Sequence, residues 1–120
     1  MLYEGPVFSL ITPFKKDGCI DYRSLTKYID LLCASGAKQI YSMAFNGKYE
    51  VLSGEEILAM NAYIISRLKT IDPNLKVICG DEIYCSAKRS VELFNQYYEM
   101  GCDLGSAFFG ERFYSDSQLY

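Results

Sequence analysis

The chain has 120 residues, a formal charge of −3 and a 50% share of apolar residues, which fits one small globular domain and excludes a disordered chain. Its mildly acidic charge and scattered lysines argue against nucleic-acid binding, and residues 5–14, the longest uncharged stretch near the start, are too short to span a membrane. The absence of histidine excludes histidine nucleophile pairs, histidine-ligated zinc and histidine acid–base chemistry.

The first third of the chain predicts a strand followed by an amphipathic helix. Residues 7–11 form a short apolar run with β-branched residues, which is typical of a buried strand. Asp21 is placed to cap a helix that runs to about Ser35, and Gly36 supplies its C-terminal stop. The apolar residues of this helix recur at helical spacing and predict one buried stripe: Leu25, Tyr28, Ile29, Leu32 and Cys33.

The same unit is repeated twice further along the chain. Strands are predicted over residues 39–43, 76–80 and 104–109. Ser53 and Glu56 predict a capping box at the start of the second helix, whose apolar residues are Ile57, Met60, Ile64 and Leu68. A third helix is predicted over residues 86–100, with Gly101 at its end and an apolar face made of Val91, Phe94 and Tyr98.

The resulting order, β-α-β-α-β-α-β, predicts an α/β fold with one parallel sheet in the strand order 1-2-3-4. After residue 109 a polar, aromatic loop leads to Asp116 or Ser117, which resembles the cap of a fourth helix close to the last residue, Tyr120. We therefore expect residues 1–120 to form part of a longer domain, truncated near the start of the fourth helix. A complete four-stranded open sheet is the alternative.

The cysteine pattern favours a reduced protein. The cysteines are Cys19, Cys33, Cys79, Cys85 and Cys102. Their number is odd, no CxxC pair occurs, and they are spread through apolar segments. The pattern predicts small buried thiols in a cytoplasmic protein, with a metal or disulfide role as the alternative.

Candidate chemistry is expected where the strands end, because ligands of parallel α/β folds bind at the carboxyl ends of the strands. The selected segments are residues 12–14, 44–50, 80–84 and 109–115. In the second of them, Asn46 and Gly47 can present a side-chain amide and a backbone N–H to a carboxylate, or can form a plain turn. Thr12 can orient a site tyrosine or bond the local backbone.

Charged residues in these segments have simpler interpretations. Lys48 lies close to Glu50, and we expect it to be solvated, although a desolvated lysine can act as a Schiff-base nucleophile. Asp81 and Glu82 are expected to stabilise the dipole of the following helix, and we predict no metal site, because no other ligands converge on them.

The same segments resemble one known family. Thr12-Pro13-Phe14, with Asp17-Gly18 and Ile20-Asp21 after it, resembles the TPF…DG.ID opening of the dihydrodipicolinate synthase / N-acetylneuraminate lyase family. Further matches follow in the family's order. Asn46-Gly47, with Leu52-Ser53 and Glu56, resembles the family's GTTGE…LS.EE segment, and Val77-Ile78-Cys79-Gly80 resembles its third strand. Gly101-Cys102-Asp103 then corresponds to Gly-Ala-Asp, and Arg112-Phe113-Tyr114 to Pro-Tyr-Tyr. The resemblance covers essentially the whole chain.

The resemblance implies the N-terminal half of a TIM (β/α)8 barrel, with about four parallel strands and three helices. It also implies a pyruvate-dependent aldolase or lyase that holds a small 2-oxo acid as a Schiff base on a lysine, without a further cofactor or metal, in a homo-oligomer. The family's lysine lies on its sixth strand and a key tyrosine on its fifth, and this chain contains neither.

Residue roles follow from the same resemblance. The family's paired hydroxyl residues bind the substrate carboxylate and relay protons, and Phe45 and Asn46 occupy their places here. Asn46 can donate to a carboxylate but cannot relay a proton as a hydroxyl does, and Phe45 can do neither. Tyr114 matches the family tyrosine that enters the relay of a neighbouring subunit, and Thr12 is the other catalytic candidate.

These departures keep two other hypotheses open. The first is a catalytically inactive homologue that serves as a binding or regulatory module. The second is an unrelated flavodoxin-like binding domain, which no phosphate loop in the sequence supports.

Overall fold

The computed structural model of the chain describes residues 5–42, 51–80 and 86–106. Strands and helices alternate along these residues: β1 (Phe8–Ser9), α1 (Tyr22–Ala34), β2 (Gln39–Tyr41), α2 (Gly54–Ile71), β3 (Lys76–Gly80), α3 (Ala87–Met100) and β4 (Leu104–Ser106). The predicted order of elements is confirmed.

The strands form one parallel sheet in the order β1-β2-β3-β4. Ile40 of β2 is in register with Phe8 of β1 and Val77 of β3. Ile78 of β3 is in register with Tyr41 of β2 and Leu104 of β4. The predicted strand order is therefore confirmed. Because β1 lies at an edge of the sheet, the arrangement differs from a doubly wound sheet, in which the first strand is central.

One face of the sheet carries the hydrophobic core. Ile40, Val77 and Cys79 belong to a single buried cluster that also contains the buried residues of α1, α2 and α3. Successive strand residues point to opposite faces, so the register places Tyr41, Ile78 and Leu104 on the other side. On that side Leu104 is 48% exposed. The helices thus cover one face of the sheet and leave the other without a helix layer in the described residues.

Side-chain caps begin the three helices. Asp21 accepts hydrogen bonds from the Ser24 amide at 3.1 Å and the Ser24 hydroxyl at 2.8 Å, and these donors hold the pKa of its carboxyl below the usual value. Ser53 and Glu56 form the predicted capping box: the Glu56 amide donates to the Ser53 hydroxyl oxygen at 3.1 Å, and the Ser53 amide donates to the Glu56 carboxylate at 3.0 Å. Ser86 accepts from the Arg89 amide and caps α3. The predicted Asp21 cap and the predicted capping box of Ser53 and Glu56 are confirmed.

Two left-handed glycines end helices, as the sequence predicts for Gly36 and Gly101. Gly36 has a φ of +98°, and the next amide, that of Ala37, donates to the Leu32 carbonyl at 3.0 Å. Gly101 has a φ of +111°, and the Cys102 amide donates to the Tyr97 carbonyl at 2.9 Å. Both sets of bonds are Schellman motifs, in which glycine tolerates the positive φ without a Cβ clash.

The predicted apolar face of α3 is wrong in part. Leu93 and Tyr97 are buried, whereas Val91 is 59% and Tyr98 79% exposed. Phe94 is half-buried and packs against the core. The helix has two apolar stripes about 100° apart, and spacing alone does not say which one meets the sheet. Packing against the sheet selects the stripe that contains Leu93 and Tyr97.

Two smaller expectations also need correction. The sequence predicts the first strand over residues 7–11, but the strand is Phe8–Ser9, followed by one further bond from the Leu10 amide to the Tyr41 carbonyl at 2.9 Å. Val7 and Ile11 are 42% and 57% exposed. An edge strand with one neighbour has fewer backbone partners than a central strand, which explains the shorter ladder.

The prediction that the cysteines are buried is correct for Cys79 and Cys102. Cys33 is half-buried, and Cys19 is exposed because it lies in a surface turn. Cys85 lies outside the described residues.

The amino-terminal edge of the sheet is held by a partly buried ion pair. Lys69, on α2, donates to the Asp103 carboxylate at 3.0 Å and to the Leu75 carbonyl at 2.7 Å. The same carboxylate oxygen of Asp103 accepts the Val77 amide at 2.9 Å. These bonds join α2, the start of β3 and the start of β4 at one point.

Replacement of Gly105 by alanine is expected to destabilise the protein. A Cβ at Gly105 would lie 2.7 Å from Cδ1 of Phe94, inside van der Waals contact. We expect Gly105→Ala to lower the free energy of unfolding by about 1–3 kcal/mol, measured by urea unfolding. Gly54→Ala, at the first turn of α2, is the matched control and should cost nothing.

A double-mutant cycle identifies the cause of that loss. If the Phe94 ring is responsible, Gly105→Ala should cost far less in a Phe94→Ala background. Equal stability of Gly105→Ala and the unchanged chain would contradict the close contact.

The open face of the sheet is expected to drive self-association. Ile11 and Leu104 expose apolar surface, whose hydration costs about 25 cal/mol per Å². Among residues 5–42, 51–80 and 86–106, no further strand pairs with the outer edges of β1 and β4. Light scattering at micromolar concentration should therefore give a dimer, a larger oligomer or an aggregate.

Charge substitutions test which surface associates. Ile11→Lys with Leu104→Lys should reduce the measured mass, whereas Leu31→Lys, at a 63% exposed position of α1, should not. A monomer with sharp cooperative melting in the unchanged chain would contradict the expectation.

Candidate functional site

Two polar side chains lie near the strand ends: Thr12 after β1 and Ser42 directly after β2. The last residue of β3 is Gly80, which offers its backbone carbonyl. The predicted site residues Phe45, Asn46, Gly47 and Tyr114 lie outside the described residues, as do Lys48, Asp81 and Glu82. The described part of the candidate site is therefore its base, formed by the strand ends and by the helix that packs beneath them.

Thr12 is the one predicted site residue that the structure describes. It is 5% exposed, and its hydroxyl donates to the sulfur of Met60 at 3.9 Å. Met60 lies on the buried face of α2. The contact ties the segment after β1 to α2, and the catalytic role of Thr12 stays a prediction.

A short hairpin connects this segment to α1. Phe14 and Ile20 form an antiparallel bridge, and the Asp21 amide donates to the Pro13 carbonyl at 2.8 Å. Asp17 accepts from the Cys19 amide at 2.9 Å, which lowers the pKa of its carboxyl. The TPF…DG.ID motif therefore encodes a closed turn that carries the chain from β1 to the cap of α1.

Asn61 joins the ends of β2 and β3. It is wholly buried on α2, and its Oδ1 accepts a hydrogen bond from the Ser42 hydroxyl at 2.5 Å. Its Nδ2 donates to the Gly80 carbonyl at 3.3 Å. The sequence interpretation missed Asn61. The available signal was an amide between Ile57 and Ile64, within the apolar stripe of α2.

A second polar contact lies on the open face of the sheet. The hydroxyls of Tyr41 and Ser106 are hydrogen-bonded to each other. Tyr41 is in register with Ile78, and Ser106 with Gly80, so the contact crosses β3 diagonally. Because Gly80 has no side chain, it leaves this path open. Neither hydroxyl was singled out from the sequence.

Three of the four described cysteines have raised pKa values, whereas a hydrogen bond with Cys79 lowers the pKa of Cys102 to about 7. A hydrogen bond with Cys102 and burial raise the pKa of Cys79, burial raises that of Cys33, and the Asp17 carboxylate raises that of Cys19. The sulfur of Cys102 donates to the carbonyls of Leu104 at 3.1 Å and Val77 at 3.4 Å. Raised pKa values keep the first three thiols protonated at neutral pH.

Metal and membrane features are absent from the described part of the chain. Residues 5–42, 51–80 and 86–106 contain no cluster of three or more cysteine or acidic side chains that could hold a metal ion. None of the helices in those ranges combines the length and the apolar character that crossing a bilayer requires.

The strand order, the one-sided helix layer and the polar strand ends define half of a (β/α) barrel. The model of the dihydrodipicolinate synthetase family matches residues 3–107. The chain belongs to this aldolase family, as its motifs predict.

Individual relatives agree in sequence and in fold. The 4-hydroxy-tetrahydrodipicolinate synthase of Bacillus subtilis is 30% identical over 95 residues, which cover 79% of this chain and 31% of the relative. The dihydrodipicolinate synthase structure from Aquifex aeolicus has a TM-score of 0.75 at 24% identity, covering 92% of this chain and 37% of that one.

A third comparison has a ligand. The structure of the Acinetobacter baumannii dihydrodipicolinate synthase, complexed with pyruvate, has a TM-score of 0.73 at 25% identity and covers 86% of this chain and 34% of that one. The chain spans about a third of the length of the curated relatives it matches. The half-barrel expectation for the fold is confirmed.

Proposed function

We propose that this chain forms the N-terminal half of a pyruvate-dependent aldolase or lyase that acts on pyruvate or a related 2-oxo acid through a Schiff base. The match of residues 3–107 to the dihydrodipicolinate synthetase family carries the proposal. The pyruvate complex of the Acinetobacter baumannii relative supports the choice of substrate class.

The substrate carboxylate is assigned to the segment after β2. We assign it to the side-chain amide of Asn46 and the backbone N–H of Gly47, both of which can donate to a carboxylate, and propose Phe45 as a further substrate-binding residue. The buried bonds of Ser42 support this assignment, because they fix the residue that precedes the segment in the sequence. Thr12 and Tyr114 are the proposed catalytic hydroxyls.

The chemistry of the half-barrel depends on groups outside this chain. In the proposed reaction, the Schiff-base lysine comes from strands that complete the barrel, and no cofactor or metal is needed. A homo-oligomer in the cytoplasm is the proposed assembly and location. The domain is proposed as a partial (β/α)8 barrel over residues 1–120.

A catalytically inactive homologue is the second candidate function. Phe45 and Asn46 stand where the family carries paired hydroxyl residues, and this specific departure favours a protein that binds the 2-oxo acid without turning it over. Carboxylate binding is common to both candidates, whereas Schiff-base formation separates them.

Pyruvate binding is the first test. Titration of the ¹⁵N-labelled chain with pyruvate should shift the amide signals of Asn46 and Gly47, and methyl pyruvate, which lacks the carboxylate charge, should shift them far less. Asn46→Ala should weaken pyruvate binding about tenfold, because a hydrogen bond to a charged group is lost. Asn95→Ala, at an exposed position of α3, is the matched control. Equal affinities of Asn46→Ala and the unchanged chain would remove Asn46 from the site.

Borohydride trapping tests the Schiff base. The 120-residue chain, treated with pyruvate and borohydride, should show no adduct by mass spectrometry, because the family's lysine lies outside it. The Bacillus subtilis relative, treated in the same way, is the positive control. A stable adduct at Lys48 would contradict the expectation and make this lysine a nucleophile.

A further inference from the structure

The amide of Asn61 needs an explanation beyond packing. Its side chain is wholly buried between apolar residues of α2, among them Ile57, Met60 and Ile64. Burial of an amide is unfavourable unless hydrogen bonds compensate for its lost hydration, and leucine, of similar size, would bury apolar surface instead. An amide at this position is therefore useful only for the two groups that it bonds.

Both of those groups belong to the carboxyl edge of the sheet. Ser42 follows the last residue of β2, and Gly80 is the last residue of β3. Asn61 accepts from the first at 2.5 Å and donates to the second at 3.3 Å, so one planar amide spans the two strand ends. The Ser42 amide adds a bond of 2.8 Å to the Ile78 carbonyl.

Consecutive residues of α2 thus hold three strand ends. Met60 accepts the Thr12 hydroxyl after β1, and Asn61 bonds the ends of β2 and β3. The amino-terminal edge is held differently, by the ion pair of Lys69 and Asp103. The amide network lies only at the edge where barrel ligands bind.

We propose that Asn61 is a positioning residue, which fixes the carboxyl ends of β2 and β3 relative to each other so that the substrate carboxylate is bound in one geometry. The proposal deepens the proposed function and rests on it for the identity of the ligand. Asn61 acts through Ser42 and Gly80 and does not touch the substrate. Preorganisation of this kind increases affinity because less ordering is left for the ligand to impose.

The first measurement is pyruvate affinity in the 120-residue chain. Asn61→Leu keeps the side-chain size and removes both hydrogen bonds, and we expect about tenfold weaker pyruvate binding. Ile65→Ala is the control. Ile65 is buried on the same helix, but it lies beside Gly101, near the amino-terminal edge of the sheet, where a Cβ on Gly101 would be 3.5 Å from Cγ2 of Ile65. It should lower stability and leave pyruvate affinity unchanged, which a general loss of folding would not do.

The second measurement is amide hydrogen exchange, which needs no ligand. Each exchange rate is first corrected for the measured free energy of unfolding of that variant. After this correction, exchange of the Ser42 amide should be at least tenfold faster in Asn61→Leu than in Ile65→Ala. Ser42→Ala removes one of the two bonds and should reproduce part of the effect. It should add little in the Asn61→Leu background, where that bond is already lost.

The outcomes separate the two proposals. If the unchanged chain binds pyruvate and Asn61→Leu binds it equally well, the positioning role is overturned. If the unchanged chain does not bind pyruvate, the proposed function fails, and exchange of the Ser42 amide decides the role of Asn61. Equal exchange in Asn61→Leu and Ile65→Ala would overturn it in that case too.

Discussion

The buried face of α2 is the surface on which the sheet depends. The described ladders are short, with two paired positions between β1 and β2 and three between each of the other neighbours. Short parallel ladders are weak without a helix layer, because parallel sheets are stable when their faces are covered. α2 supplies the largest set of buried helix residues: Ile57, Met60, Asn61, Ile64, Ile65 and Leu68. These residues pack against the buried face of the sheet and cover β2 and β3 on that side.

The same helix treats the two edges of the sheet with different chemistry. At the amino-terminal edge, Lys69 and Asp103 form a charged contact that also caps backbone groups of β3. At the carboxyl edge, Asn61 and Ser42 form a neutral contact. The Asn61 and Ser42 contact itself adds no charge to the edge where an anionic substrate is proposed to bind.

Local signals in the sequence predicted the parts of the fold that local chemistry determines. The Ser53 and Glu56 capping box and the stop at Gly36 depend on neighbouring backbone groups, so a few residues suffice to predict them. The face of α3 depends on β4 and the core, which spacing cannot supply, and Val91 was misassigned for that reason. Asn61 was missed because its partners, Ser42 and Gly80, are each 19 residues away. The loop residues of the site stay predictions.

The residues on the open face of the sheet differ from those on the face that the helices cover. Ile40, Val77 and Cys79 face the helices and are fully buried. Tyr41 and Ser106 lie on the other face and pair their hydroxyls across Gly80. In a closed barrel that face becomes the interior, where an isolated hydroxyl would lose its water, and a mutual hydrogen bond already satisfies both groups. The hydroxyl pair therefore gives this sheet a face suited to enclosure by further strands, consistent with a half of a barrel.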